Sequence, residues 1–73
     1  MIDRLFEMIK NECSILEMRS VLVEATSQEM DKDSMLGMLH NGLSIAQDEK
    51  TDDTIRELID FVEGWCRQDL KIY

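Results

Sequence analysis

The helical spacing of apolar residues constrains the fold of this chain more than any other feature. In the last third of the sequence, apolar side chains recur every three or four residues, which places them on one face of an α-helix. Residues 54–57, TIRE, fit a capping box, and the aspartates just before them suit the positive end of a helix. The pattern predicts a helix over 53–70, whose apolar face carries Ile55, Leu58, Ile59, Val62, Trp65 and Cys66.

The first 28 residues contain two apolar stripes. The stripe that begins at Ile2 lies roughly 160° around a helix from the one that begins at Ile15, at about 100° per residue. Either the chain breaks near 11–14, with Ser14 capping a new helix, or one helix of roughly 42 Å runs over 2–28. An unbroken helix of that length would overhang a monomeric bundle and require a second subunit. We favour the break and keep the single helix as the alternative.

The middle segment, MLHNGLSIA, contains the only histidine of the chain, His40, just before Asn41 and Gly42. A helical wheel over 34–47 places Gly42 inside an apolar face and His40 at its boundary. Asn-Gly is also a strong hairpin signal, but few neighbouring residues are β-branched or aromatic. We therefore predict a helix whose glycine admits a close neighbour. Turns are expected over 28–33, with Asp33 or Ser34 as the next cap, and over 48–53.

These segments together predict an all-α fold, a single helical domain over 1–73. Proline is absent, and only four aromatic residues occur, so the core must be mainly aliphatic and methionine. We expect a small antiparallel bundle of three helices, or four if the N-terminal helix breaks near 11–14. A chain of 73 residues buries one small core and often gains stability from association, so a homodimer is expected.

The charge of the chain is strongly acidic, with 16 acids, 8 bases and a net charge of −8. The acids are spread along the chain, which is typical of a solvated surface. Because lysines and arginines never cluster, we expect no direct nucleic-acid binding. No apolar run is long enough to span a membrane. The N-terminal sequence does not resemble a signal peptide, because its apolar positions are interrupted by Asp3, Arg4 and Glu7. We expect a cytoplasmic protein without membrane contact.

Few residues of the chain could take part in catalysis or bind a metal ion. His40 would need a nucleophile and an orienting partner to act as a base, and nothing in the sequence places Cys13 or Cys66 beside it. Both cysteines lie on apolar stripes, where core packing is the simpler role and redox chemistry the alternative. Zinc would want four ligands, but the chain has only three Cys or His residues. We expect no catalytic residue, no metal site and no cofactor, and therefore no enzyme.

The function that these observations favour is a small protein-interaction module, acting as a regulator, adaptor or inhibitor. We expect it to bind a protein partner, or itself, through an apolar, methionine-rich helical face. The alternative is an acidic mimic of nucleic acid that inhibits a basic nucleic-acid-binding protein. The predicted interaction residues are Met35, Met38, Gly42, Ile45 and Trp65.

Overall fold

The computed structural model describes residues 1–73 and confirms the all-α prediction, since it contains helices and no strands. Its extents are 27 × 22 × 18 Å. None of its helices has the length and apolar character needed to cross a membrane. The four α-helices are α1 (Ile2–Lys10), α2 (Ile15–Ser27), α3 (Lys32–Ile45) and α4 (Glu49–Glu63).

The N-terminal region breaks between α1 and α2, as the favoured alternative predicts. Glu12 adopts a left-handed conformation with φ 59°. The N–H groups of Glu12 and Cys13 then donate to the carbonyls of Ile9 and Met8, each at 3.0 Å, which closes the end of α1 as a Schellman motif. Ser14 caps α2, because its hydroxyl accepts the backbone N–H of Glu17 at 3.2 Å. The predicted cap and the observed one are the same residue.

The turn between α2 and α3 is shorter than predicted. α2 ends in a second Schellman motif, with Glu29 at φ 68° and the N–H of Met30 on the carbonyl of Ala25. The cap of α3 is Asp31, not Asp33 or Ser34. Its carboxylate accepts the backbone N–H of Ser34 at 2.7 Å, so the helix begins earlier than the sequence pattern indicates.

The MLHNGLSIA segment is helical throughout its first eight residues, so the hairpin alternative is wrong. Gly42 is buried on the inner face of α3, and His40 is exposed. A β-carbon at position 42 would stand 2.6 Å from Cδ1 of Ile2 and 3.4 Å from Cδ1 of Ile55. The glycine therefore admits two side chains, one from α1 and one from α4.

The predicted boundaries of the last helix, 53–70, are wrong at both ends. Asp48 caps α4 by accepting the backbone N–H of Thr51 at 2.7 Å, so the expected turn over 48–53 forms the cap and first helical turn. The helix stops at Glu63 because Gly64 turns the chain with φ 91°. Glycine is the residue that adopts this conformation without strain.

The core is one cluster of buried apolar side chains to which all four helices contribute, and α4 contacts each of the other three. Met35 and Leu39 are fully buried within it. α4 supplies more of the core than any other helix, and its members are Ile55, Leu58, Ile59, Phe61 and Val62.

Residues 65–73, called here the C-terminal strap, fold back over the helices. Arg19 donates from Nε to the carbonyl of Leu70 at 2.8 Å, and the N–H of Ile72 donates to the carbonyl of Phe61 at 3.2 Å. The Tyr73 hydroxyl donates to the carbonyl of Met30 at 2.6 Å. These bonds tie the strap to α2, α4 and the α2–α3 turn.

Candidate interaction surface

The side chains that chemistry would need are not assembled into a catalytic site. His40 is exposed on α3 and makes no side-chain hydrogen bond, and Cys13 and Cys66 are half-buried free thiols. Desolvation raises the pKa of the Cys13 thiol, and the Glu17 carboxylate raises it further. Because the thiolate is the nucleophilic form, this environment suppresses the reactivity of Cys13 at neutral pH. No group of three or more His, Cys, Asp or Glu side chains is arranged to hold a metal ion.

The five predicted interaction residues do not share one surface. Met35 and Gly42 are buried in the core, and Met38 is half-buried against it. Ile45 and Trp65 face solvent, with 52% and 76% of their surface exposed. Ile45 lies just before the first turn of α4, and Trp65 lies just after its last turn. The two exposed members therefore mark opposite ends of the same helix.

Trp65 is held on a fixed backbone although its side chain lies in water. The N–H groups of Gly64 and Trp65 both donate to the carbonyl of Asp60 at 2.9 Å. In a Schellman motif, the residue at the position of Trp65 frequently packs back on the last helical turn. Here the Trp65 side chain does not pack on that turn, and the backbone N–H of Ile72 donates to the neighbouring carbonyl of Phe61. The chain thus presents a large aromatic side chain outward from an ordered helix end.

A groove lies at the other end of α4, between α1 and the start of that helix. It consists of two adjoining cavities of about 400 and 390 Å³, which share Phe6, Asp48 and Thr51. Ile45 lies in the first cavity, and Ile9 lies in the second. These residues define the α1–α4 groove, which has apolar and polar walls and is large enough to receive a side chain from another molecule.

The far end of the α1–α4 groove carries positive charge. Lys10 and Lys50 both line the second cavity. Lys50 contacts the Glu12 carboxylate at 3.5 Å, whereas Lys10 has no ion-pair partner. Hydrogen bonds from Thr51 lower the pKa of Asp48. The side-chain bond has the larger effect and the backbone N–H the smaller one. The Asp48 carboxylate therefore stays ionised while it caps α4, and Lys10 is the lysine of the groove that has no ion-pair partner.

The exposed face of α4 is acidic. Asp52 is neutralised by Arg56 at 2.7 Å, but the other acids of this face make no ion pair. A row of like charges on one helix face is a strong electrostatic feature for an approaching basic surface. The acids without an ion pair are Glu49, Asp53, Glu57, Asp60 and Glu63.

Sequence patterns did not identify the α1–α4 groove. Phe6 belongs to the first apolar stripe, and Lys10 follows it by one helical turn, so both looked like ordinary members of α1. Their relation to Thr51 depends on how α1 packs beside α4, which no local pattern encodes. The scarcity of aromatic residues is the one signal that could have drawn attention to Phe6, because the chain contains only four aromatic side chains.

Comparison with known proteins adds no relative to this description. No protein-family model, no curated protein and no solved structure matches the chain.

Proposed function

We propose that the chain is a small non-enzymatic interaction module, a regulator, adaptor or inhibitor, that binds protein through Ile45 and Trp65. The observation that carries the proposal is the exposed indole of Trp65 on an ordered helix end. Tryptophan is the residue most enriched at the energetic centres of protein interfaces, because its large apolar surface gains most when it leaves water. A backbone that is already hydrogen-bonded at this helix end would lose less entropy on binding than an unbonded one.

The burial of Met35 moves the proposed contact away from a methionine-rich face of α3. Met35 and Gly42 lie inside the core, where they support the helix that carries Ile45. The contact surface proposed here is therefore built at the two ends of α4. A cytoplasmic location, association as a homodimer and antiparallel packing of the helices remain our predictions.

Affinity capture with three versions of the chain tests this proposal. We expect the wild-type chain to retain a specific protein and the Trp65→Ala variant to lose at least about 90% of it, since removal of a hot-spot tryptophan costs about 2 kcal/mol or more, roughly a thirtyfold loss of affinity. Val23→Ala is the matched control, because Val23 is an exposed apolar residue of α2. Equal capture by the Trp65→Ala variant and the wild type would argue that Trp65 is not the contact.

The second candidate function is a mimic of nucleic-acid charge. The acidic face of α4 supports it, because five acids without ion pairs lie along one helix and its C-terminal turn. Such a surface would bind a basic groove mainly through Coulomb attraction, which salt screens. Binding of a basic nucleic-acid-binding protein should then weaken steeply with salt and disappear in an Asp53→Lys, Glu57→Lys double variant. Capture that is unaffected by salt and by the double substitution would count against this function.

A further inference from the structure

We propose that the partner is a second copy of this chain, and that its Trp65 docks in the α1–α4 groove. The inference rests on the proposed function, because it takes Trp65 to be a contact residue. It adds the site that receives the indole. The contact pairs the most exposed aromatic side chain of the chain with a hollow of the same chain whose apolar walls are Phe6, Ile45 and Ala46.

The groove offers room for a projecting side chain such as that of Trp65. Trp65 projects from the end of α4, whereas the groove beside Phe6 and Ile45 is a hollow of about 400 Å³. The Trp65 of the same chain cannot fill it, because about 18 Å of helix separates Thr51 from Glu63. The indole that enters the groove must therefore belong to another molecule.

The charges near the two surfaces are also complementary. Asp60 and Glu63, which precede Trp65 in the chain, have no ion-pair partner, and neither does Lys71, which lies beside Gly64. Beside the groove, Lys10 is a base without a partner. Two copies that each carry a charge of −8 repel one another over most of their surface. The groove is a place where a second acidic chain meets an unpaired positive charge.

Reciprocal docking would close the assembly as a dimer. A two-fold axis would make both contacts equivalent, but it would also lay the two α4 helices antiparallel, where the unpaired acids of their exposed faces repel one another. Without that symmetry, the same contact links copies head to tail. In both arrangements, each contact needs one intact Trp65 and one intact groove from different molecules.

This requirement gives a complementation test with two variants. Trp65→Ala removes the indole and keeps the groove, while Ile45→Glu places a carboxylate in the groove and keeps the indole. Both side chains are largely exposed, so both variants should fold, and circular dichroism verifies this. By light scattering after size exclusion, we expect the wild type to associate and each variant to associate at least about tenfold more weakly. An equimolar mixture should associate more tightly than either variant alone, because the mixed pair keeps one functional contact.

Charge variants provide an independent arm. Lys10→Glu should weaken self-association, whereas Lys32→Glu, which changes an exposed lysine of α3 outside the groove, should weaken it less. Equal effects of the two lysine variants would overturn the proposed role of the groove.

The remaining outcomes overturn the inference in different ways. Association that Ile45→Glu leaves intact would exclude the groove, and a mixture that fails to recover would indicate contact between like surfaces, such as Trp65 with Trp65. A wild-type chain that stays monomeric at every concentration would exclude self-docking altogether. The proposed function fails separately, when the captured protein is a different chain and is retained equally by Trp65→Ala.

Discussion

Ile2 lies against Gly42 so closely that a β-carbon at position 42 would stand 2.6 Å from Cδ1 of Ile2 and 3.0 Å from its Cγ1. This contact joins α1 to the last turn of α3. A glycine inside a helix costs about 1 kcal/mol relative to alanine. The close approach of Ile2 gives a physical reason for a glycine at this position.

A large side chain at position 42 should therefore disturb the fold. We expect Gly42→Leu to lower the free energy of unfolding by about 1–3 kcal/mol, because it overpacks the contact with Ile2. His40→Ala should change it by less than about 0.5 kcal/mol, since His40 is exposed and makes no side-chain hydrogen bond. Urea unfolding followed by circular dichroism measures both. A larger loss for His40→Ala would show that the packing explanation is wrong.

The other two glycines should respond in opposite directions to alanine. At Gly37, an added β-carbon meets nothing within 4 Å, so Gly37→Ala should stabilise α3 by up to about 1 kcal/mol. At Gly64, where φ is 91°, alanine should cost about 1–2 kcal/mol. Thermal unfolding of the two variants side by side checks the difference in sign. Stabilisation by both substitutions would contradict the left-handed cap of α4.

Glu29 is strained in a position that usually belongs to glycine. Its φ of 68° closes α2, and its side chain is exposed without an ion pair. We expect Glu29→Gly to raise the free energy of unfolding by about 0.5–1 kcal/mol, because the left-handed cost exceeds the entropy that glycine adds to the unfolded chain. Glu24→Gly is the control within α2 and should lower it by about 1 kcal/mol. For this explanation to hold, Glu29→Gly must raise the free energy of unfolding and Glu24→Gly must lower it.

The helix ends show where sequence patterns suffice. The capping box over 14–17 predicts Ser14 as the cap of a new helix, and its hydroxyl does accept the N–H of Glu17. The end of α1 was harder to define, because Glu12 carries out the turn that glycine usually makes. Local composition thus located the break but not the residue that closes the first helix.

The last helix shows where periodicity misleads. The apolar spacing continues through Trp65 and Cys66, so it extends the predicted helix past its real end at Glu63. Cys66 is half-buried against the core from the strap, and Trp65 contributes no buried contact. Gly64 was the correct stop signal. At the start, Asp48 is the cap, and the capping box at 54–57 was wrong because α4 had already begun.

The two aspartate caps should make the stability of the fold depend on pH in the acidic range. Hydrogen bonds from Ser34 and Thr51 lower the pKa values of Asp31 and Asp48, respectively. In each pair the side-chain bond has the larger effect and the backbone N–H the smaller one. A carboxyl whose pKa is lower in the folded chain stabilises it above the unfolded value, about 3.9, and loses this effect as pH falls through the folded value. The expected window therefore lies below about pH 4.

A variant with asparagine at both caps isolates this effect. Asparagine caps a helix about as well as aspartate but does not ionise. We expect the Asp31→Asn, Asp48→Asn variant to lose less stability than the wild type when unfolding is measured at about pH 5 and again below about pH 3. Asp53→Asn, which removes an acid that caps no helix, should behave like the wild type. Identical acid profiles for all three chains would refute the role of the caps.

The fluorescence of Trp65 tests the proposed contact most directly, because it is the only tryptophan in the chain. In the dilute monomer, the exposed indole should emit at the long wavelength typical of water. As concentration rises and copies associate, we expect the emission to shift to shorter wavelength, since docking removes the indole from water. The Ile45→Glu variant should keep the long-wavelength emission over the same range. An emission maximum that stays constant while light scattering records association would contradict a contact made by Trp65.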